Sequence, residues 1–329
     1  MGVFSSSSKW DAVKDMPDLR GKVIIVTGGN TGIGYASVKQ FVRGGAKVYL
    51  GARSEAKAND AIARLHDELG QELRGSVEYL HVDLSDPKLA KEAAEGFLAR
   101  EGRLDVLLNN AAMTVVDYKR TLYDIQDIMV VNHLSPFVFT MTLLPLMKQT
   151  VDLPNADVRI VNVASQAIGY LKDTVRFRNR EDFNDEHVGS FSAMTRYGRS
   201  KLANILFIKA LQRRLDAEGS KVIAISLHPG TVQTDGNVRV AQSMQNAVAR
   251  NVFTFMFKHL VTPVDKGAYT QVFASVAPEV RQHAELYKGA YLAPPAVISK
   301  PTKPGESPEL AEELWNTTEG LLAEIGLTL

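Results

Sequence analysis

Six short apolar runs, each leading into a helical repeat or a loop, constrain this chain more than any other feature. They are "KVIIVT" (Lys22 to Thr27), "KVYLGA" (Lys47 to Ala52), "VEYLHV" (Val77 to Val82), "LDVLLNN" (Leu104 to Asn110), "VRIVNVAS" (Val158 to Ser165) and "VIAISL" (Val222 to Leu227). A strand that is apolar along its whole length buries both faces, as strands of a parallel sheet do when helices cover each side. Helical patterns fall between the runs: one through Tyr35, Val38, Phe41 and Val42, then others over about Glu55 to Leu69, Lys88 to Arg100, Tyr123 to Lys148, and around Tyr197. Two more are expected near Ala241 to His259 and Asp265 to Ala274. The expectation is a doubly wound α/β fold, which binds ligands beyond the carboxyl ends of its strands.

The rhythm sets the expected boundaries. Residues 1–20 read as a flexible leader and 21–293 as one domain. Within it, 167–195 is an insertion on the substrate side and 236–262 a lid. Residues 294–329 form a Pro-rich tail ending in a helix from Pro308 to Ile325.

Composition narrows the function classes. With 329 residues and a formal net charge of +1, the chain carries no electrostatic footprint for nucleic acid or an anionic membrane. It has no cysteine, which removes disulfides and thiolate chemistry, and its seven histidines show no metal-ligand spacing. The most apolar run, Phe137 to Met147, is too short to span a bilayer and contains Pro145, so it reads as a buried helix. The N-terminus lacks a signal peptide pattern. Met1-Gly2 with Ser6 matches the bare myristoylation pattern but has no polybasic patch behind it. A cytosolic protein with no integral membrane segment is the simplest account.

Between the first strand and first helix stands Thr27-Gly28-x-x-x-Gly32-x-Gly34. Gly28 permits a tight turn, Gly32 lets the backbone approach a pyrophosphate, and Gly34 allows close helix packing. The amides at the helix start, with its dipole, face the phosphates. The second strand ends at Ala52 and Arg53, where a site preferring NAD needs a carboxylate for the ribose hydroxyl. A guanidinium there pairs instead with a 2′-phosphate, with Asn30 of the glycine loop assisting, so NADP(H) is the expected cofactor.

The glycine spacing, "VDL" with Asp83, "NNAA" from Asn109 to Ala112, "VNHLSPF" with Asn132, "IVNVAS" with Ser165, "YGRSK" with Tyr197 and Lys201, and "HPGTVQT" from His228 to Thr234 occur in this order. Together they resemble the short-chain dehydrogenase/reductase family over about Lys22 to Ala277. Ala112 departs from that pattern, where the family usually has glycine. The resemblance implies a Rossmann fold and a cofactor held by Gly28, Asn30, Thr31, Gly32, Ile33, Gly34, Arg53, Asp83, Leu84, Asn110, Ala111, Ala112, Tyr197, Lys201, Pro229, Gly230, Val232 and Thr234. Thr231 is expected beside them, and His228 is structural.

By the same resemblance Asn132, Ser165, Tyr197 and Lys201 form the catalytic set. Tyr197 and Lys201 rise from one helix face a turn apart. A free phenol has a pKa of about 10, so the Lys201 ammonium and the positive nicotinamide of NADP⁺ are together expected to favour phenolate and lower it. Ser165 donates to the substrate oxygen, and Asn132 holds a water that links Lys201 to solvent. Arg199 and Ser200 are assigned no role.

Within the family, the insertion and "YGRSKLANILF" look most like the branch of retinol dehydrogenases and the WW-domain oxidoreductase. Met244, Phe253, Phe255, Met256 and Phe257 are expected to contribute to an apolar lid. The expected substrate is a lipophilic carbonyl or alcohol, with aldehyde or ketone reduction favoured, and the resemblance allows a homodimer. Two alternatives stay open: reduction of an activated C=C bond, and a non-catalytic NADP-binding sensor or scaffold.

Overall fold

The structure is a computed structural model that describes residues 10–187, 189, 191–232 and 262–328. Eight strands form one sheet in the order β3-β2-β1-β4-β5-β6-β7-β8. They are β1 (Val23–Thr27), β2 (Lys47–Ala52), β3 (Ser76–His81), β4 (Val106–Asn109), β5 (Arg159–Val163), β6 (Ile223–Leu227), β7 (Tyr291–Ala293) and β8 (Val297–Ser299). All neighbouring pairs are parallel except β7 with β8, which is antiparallel.

The doubly wound arrangement follows from the apolar strands. On β1, Val23 and Ile25 enter one core while Ile24 and Val26 enter the other. The first core is closed by α3 (Pro87–Leu98), α4 (Asp127–Thr150), α5 (Ser192–Ala217) and α7 (Pro308–Glu324). The second is closed by α1 (Gly32–Arg43), α2 (Glu55–Leu69) and α6 (Tyr269–Val276). Helix α4 is long and apolar enough to cross a bilayer by composition. However, 78% of its apolar window is buried inside the protein, so it is a core helix.

Several elements differ from the sequence expectation. Six strands were expected; β7 and β8 extend the sheet, and β8 lies in the stretch expected as Pro-rich coil. Helix α4 is not a regular helix from Tyr123 but begins at Asp127, and a π-turn widens it over Val130–Leu134. Leu19, near the end of the expected leader, is buried, and the Trp10 ring lies edge-on to Tyr269 and Phe273. The helix expected near Ala241 to His259, Thr234 and the aromatic and methionine residues of the expected lid lie outside the described residues.

Candidate active site

The strand order reverses between β1 and β4, the place where an open α/β sheet forms a crevice. The chain knits this point together. The Thr27 hydroxyl accepts the backbone N–H groups of Asn110 and Ala111, each at 3.0 Å. Asn110 Nδ2 returns a bond to the Thr27 carbonyl at 2.9 Å, and the Gly28 N–H donates to Gly51 at 2.8 Å. The ends of three strands are thereby fixed to one another. Thr27 had no assigned role in the sequence, although its hydroxyl is what joins the two walls.

The glycine loop meets its expected geometry. Gly28 and Gly32 have φ of 66° and 55°, the left-handed region that favours glycine. A Cβ on Gly34 would sit 2.3 Å from the Gly28 carbonyl oxygen and 2.5 Å from Asn110 Nδ2, so only glycine fits. Helix α1 begins after Thr31 with no side-chain cap and no acidic residue in its first turn. Its first amide donors are therefore left for an anionic group, and a dinucleotide pyrophosphate fits this donor set. Asn30, Thr31 and Ile33 belong to the same turn.

Around this seat, Gly51 pairs with Thr27 across β1 and β2, and Arg53 lies two residues beyond Gly51, just past the end of β2. Arg53 is exposed and makes no ion pair among the described residues. Past β3, the half-buried Asp83 accepts the Ser85 N–H at 2.9 Å, and Leu84 is buried. The methyl of Ala112 is exposed beside the crevice. After β6, Gly230 turns with φ of 79° and donates its N–H to His228 Nδ1 at 3.1 Å. Burial pushes the His228 imidazole down to about 4, which keeps it neutral. Pro229 precedes this turn, and Val232 is buried and bridges to Thr262.

The four residues of the expected catalytic set come from three elements and meet at one end of the crevice. Ser165 follows β5 and caps the 3₁₀ turn Gln166–Tyr170, accepting the Ala167 N–H at 3.1 Å. Tyr197 and Lys201 lie on α5, whose Gly198 presses so closely on that turn that an added Cβ would meet the Ala167 carbonyl oxygen at 2.3 Å. Lys201 Nζ donates to the Val163 carbonyl at 2.8 Å and lies 5.8 Å from the Tyr197 ring centroid. Asn132 sits in the π-turn of α4, buried.

Burial dominates the electrostatics of the two titrating groups. Tyr197 keeps part of its surface open to the crevice, yet burial pushes the phenol up to about 12, with a hydrogen bond to Ser165 pulling the other way. The same loss of water lowers Lys201 to about 7. Position on a shared helix face decides proximity; the dryness of the surroundings decides which protonation state each group keeps.

Asn132 is also more occupied than expected. Its Oδ1 accepts the Met113 N–H at 2.7 Å, and its Nδ2 donates to the Met113 carbonyl at 2.8 Å and to Ser200 Oγ at 2.9 Å. Ser200 in turn donates to the Tyr197 carbonyl at 2.8 Å. Ser200, set aside in the sequence, thus ties Asn132 to α5.

The arginines of "TRYGRSK" were missed as well. Arg199 is buried and donates to the carbonyls of Arg176, at 2.9 Å, and Asp182, and pairs with the Asp185 carboxylate at 2.9 Å. Arg196 donates to the carbonyls of Glu186, at 3.0 Å, and Val116, at 2.8 Å. The two side chains anchor the insertion and the loop after β4 onto the helix that carries Tyr197. Helical spacing alone holds no sign of this, because the carbonyls belong to segments without a periodic pattern.

A sequence profile of short chain dehydrogenases matches residues 22–172. A short-chain dehydrogenase/reductase of Armillaria gallica is 41% identical over 321 residues, covering 97% of this chain and 98% of the relative. The chain belongs to the short-chain dehydrogenase/reductase family. A second member, from Colletotrichum higginsianum, is 38% identical and covers 96% of this chain and 78% of the relative. This short-chain oxidoreductase also resembles the crystal structure of an uncharacterized protein from Mycobacterium Paratuberculosis. That match has a TM-score of 0.69 and 26% identity, covering 95% of this chain and 97% of the other. It shares its fold with L-sorbose reductase from Gluconobacter frateurii, solved with NADPH and L-sorbose, at a TM-score of 0.64 and 19% identity, covering 87% and 99% of the two chains.

Proposed function

We propose that this chain is an NADP(H)-dependent reductase of lipophilic aldehydes or ketones, with Tyr197 as proton donor. One observation carries the reading: the Tyr197 phenol is hydrogen-bonded to Ser165, with Lys201 Nζ 5.8 Å from its ring centroid, at the crevice where β1 and β4 diverge. A phenol is protonated at neutral pH, so Tyr197 has a proton to give to a carbonyl oxygen that gains charge. When bound, a reduced nicotinamide would supply the hydride. Tyr197 gives its proton to the oxygen that gains charge, and the Ser165 hydroxyl donates to the same oxygen. Lys201, fixed below by Val163, holds the helix face toward the cofactor seat and favours phenolate whenever it is itself charged.

Gly28, Asn30, Thr31, Gly32, Ile33 and Gly34 are assigned to the pyrophosphate turn. Asp83 and Leu84 line the adenine side, and Asn110, Ala111 and Ala112 the floor. Pro229, Gly230 and Val232 are assigned to the nicotinamide side. NADP(H) is preferred because Arg53 stands at the end of β2 as an exposed cation with no ion-pair partner among the described residues, and no carboxylate takes that place.

A lipophilic substrate is supported by two exposed aromatic rings beside the reacting groups. Tyr170 ends the turn that Ser165 begins, Phe191 precedes α5, and their centroids lie 5.8 Å apart. Both are more than half exposed, at 51% and 65%. Such rings offer an apolar wall to a substrate. The protein is expected to work in the cytosol.

The test is NADPH oxidation with a panel of aromatic and aliphatic aldehydes and ketones, with NADH in parallel. Turnover is expected with lipophilic carbonyls, and Tyr197→Phe should lose about 100-fold or more in kcat. Activity confined to sugars or hydroxy acids would remove the substrate claim, and an unimpaired Tyr197→Phe variant would remove the mechanism. Product analysis with an unsaturated ketone separates carbonyl from C=C reduction.

A further inference from the structure

Helix α7 is tied to elements that build the crevice. Glu313 pairs with Arg176 and accepts the Phe177 N–H of the insertion, and Glu324 pairs with Arg180. Glu312 pairs with Arg213 and Arg214 of α5, and the Arg214 guanidinium lies 3.9 Å from the Trp315 ring centroid. One contact differs in kind from these. His133 Nε2 lies 2.8 Å from Thr318 Oγ1, and both residues are buried at 1% exposure or less.

His133 adjoins Asn132 on the π-turn Val130–Leu134. A single π-turn is held against the ordinary α register, and something must select it. On one side Asn132 supplies three hydrogen bonds that end at Met113 and, through Ser200, at the carbonyl of Tyr197. On the other side His133 stands in an aromatic box, its ring centroid 6.1 Å from those of Phe137 and Phe183 and 6.2 Å from that of Phe207. Burial lowers this imidazole to about 3, so the ring stays neutral. Among the described residues, the Thr318 hydroxyl is the one polar partner given to it. A buried ring nitrogen without a partner is costly, so the π-turn keeps its place only while His133 reaches α7.

We propose that His133 and Thr318 are a positioning pair through which the C-terminal helix holds the π-turn, and with it Asn132, in the register of the active site. The pair touches neither substrate nor cofactor and acts through Asn132. The inference rests on the reading of the Tyr197 site for its kinetic consequence, but not for its structural one. Loss of the Thr318 hydroxyl frees the turn to relax, and the Met113 N–H then loses its acceptor.

The test compares Thr318→Val, which keeps the shape and removes the hydroxyl, with Thr318→Ser, which keeps the hydroxyl. Hydrogen–deuterium exchange of the Met113 amide is read alongside kcat, KM, NADPH affinity by fluorescence, and Tm. For Thr318→Val, the Met113 amide is expected to exchange about tenfold faster relative to the amides of β1 and β4. Its kcat should fall about tenfold, with KM and NADPH affinity within about twofold. Thr318→Ser is expected to match the parent. If Thr318→Val fails to fold, His133→Phe with Thr318→Val removes both polar partners together and is read in the same way. A fall in Tm with Met113 exchange and kcat unchanged would overturn the proposal and leave a packing contact. If the parent turns over no carbonyl in the panel, the Met113 exchange alone decides, so failure of the proposed function is seen separately.

Discussion

Gly198→Ala is the sharpest probe of how α5 is seated. Alanine is the better helix former by about 1 kcal/mol, so on propensity alone the change stabilises the protein. At Gly198, however, the new Cβ meets the Ala167 carbonyl oxygen at 2.3 Å. An ordinary contact needs at least 3.4 Å, so the helix and the 3₁₀ turn must part by about 1 Å, 3.4 less 2.3. The obstacle is backbone, and separation of packed elements costs about 1–3 kcal/mol. The net expectation is a loss of up to about 2 kcal/mol, or several degrees in Tm. The kinetic effect should exceed the stability effect. Tyr197 is on one side of the opened gap and Ser165 on the other, and a shift of about 1 Å between reacting groups costs about 100-fold in rate. The assay is kcat for carbonyl reduction with Tm measured on the same preparation. Gly96→Ala in α3 serves as reference, since its Cβ meets nothing within 4 Å and should raise stability by a few tenths to about 1 kcal/mol. Parental kcat in Gly198→Ala, together with a raised Tm like that of the reference, would refute the reasoning.

Arg53→Glu should weaken NADPH binding by about 10- to 100-fold while leaving NADH little changed or improved, as read by fluorescence titration with each dinucleotide; equal losses for both would contradict the assignment. Lys201 should make stability depend on alkaline pH. Its folded pKa of about 7 lies below the ordinary 10.5, so the unfolded chain binds the extra proton between those values and stability climbs with pH across that window. Tyr197 acts in the opposite sense: its folded pKa is raised, so its contribution is whole below 10 and is lost as pH rises toward about 12. Chemical denaturation from pH 6 to 10, compared with Lys201→Met, checks the first; parallel curves for the two proteins would count against it. Arg199→Leu should cost about 1–2 kcal/mol by removing its hydrogen bonds to two partly buried carbonyls, and should raise KM more than it lowers kcat, since the insertion is what it holds. A Michaelis–Menten series across the carbonyl panel gives the answer.

The cofactor seat was readable because its requirements are local. Gly28, Gly32 and Gly34 follow a strand and open a helix, and nothing outside that segment is needed to see why glycine is required. The first six strands were legible for the same reason, as compact runs, although β3, at the sheet edge, carries the exposed Glu78 and His81 and is not apolar along its length. Strands β7 and β8 were not. Three residues give no period to detect, and the prolines nearby suit an edge of the sheet as well as a coil. The burial around Tyr197 and Lys201 was not legible, because spacing gives the face of a helix but not how much water reaches it. Arg196, Arg199 and Ser200 escaped for a related reason. Their partners are backbone groups of segments whose path is set by packing, and no residue type announces a carbonyl turned inward.

The grip of Arg196 and Arg199 falls largely on carbonyl oxygens, at Arg176, Asp182, Glu186 and Val116. Carbonyls are common to every amino acid, so the tether is indifferent to most of the side chains along the segment it restrains. Residues such as Lys172, Asp173 or Thr174 can therefore be exchanged without loosening the helix beneath. Sequence variation in the segment and the seating of α5 are thereby separable in this scaffold.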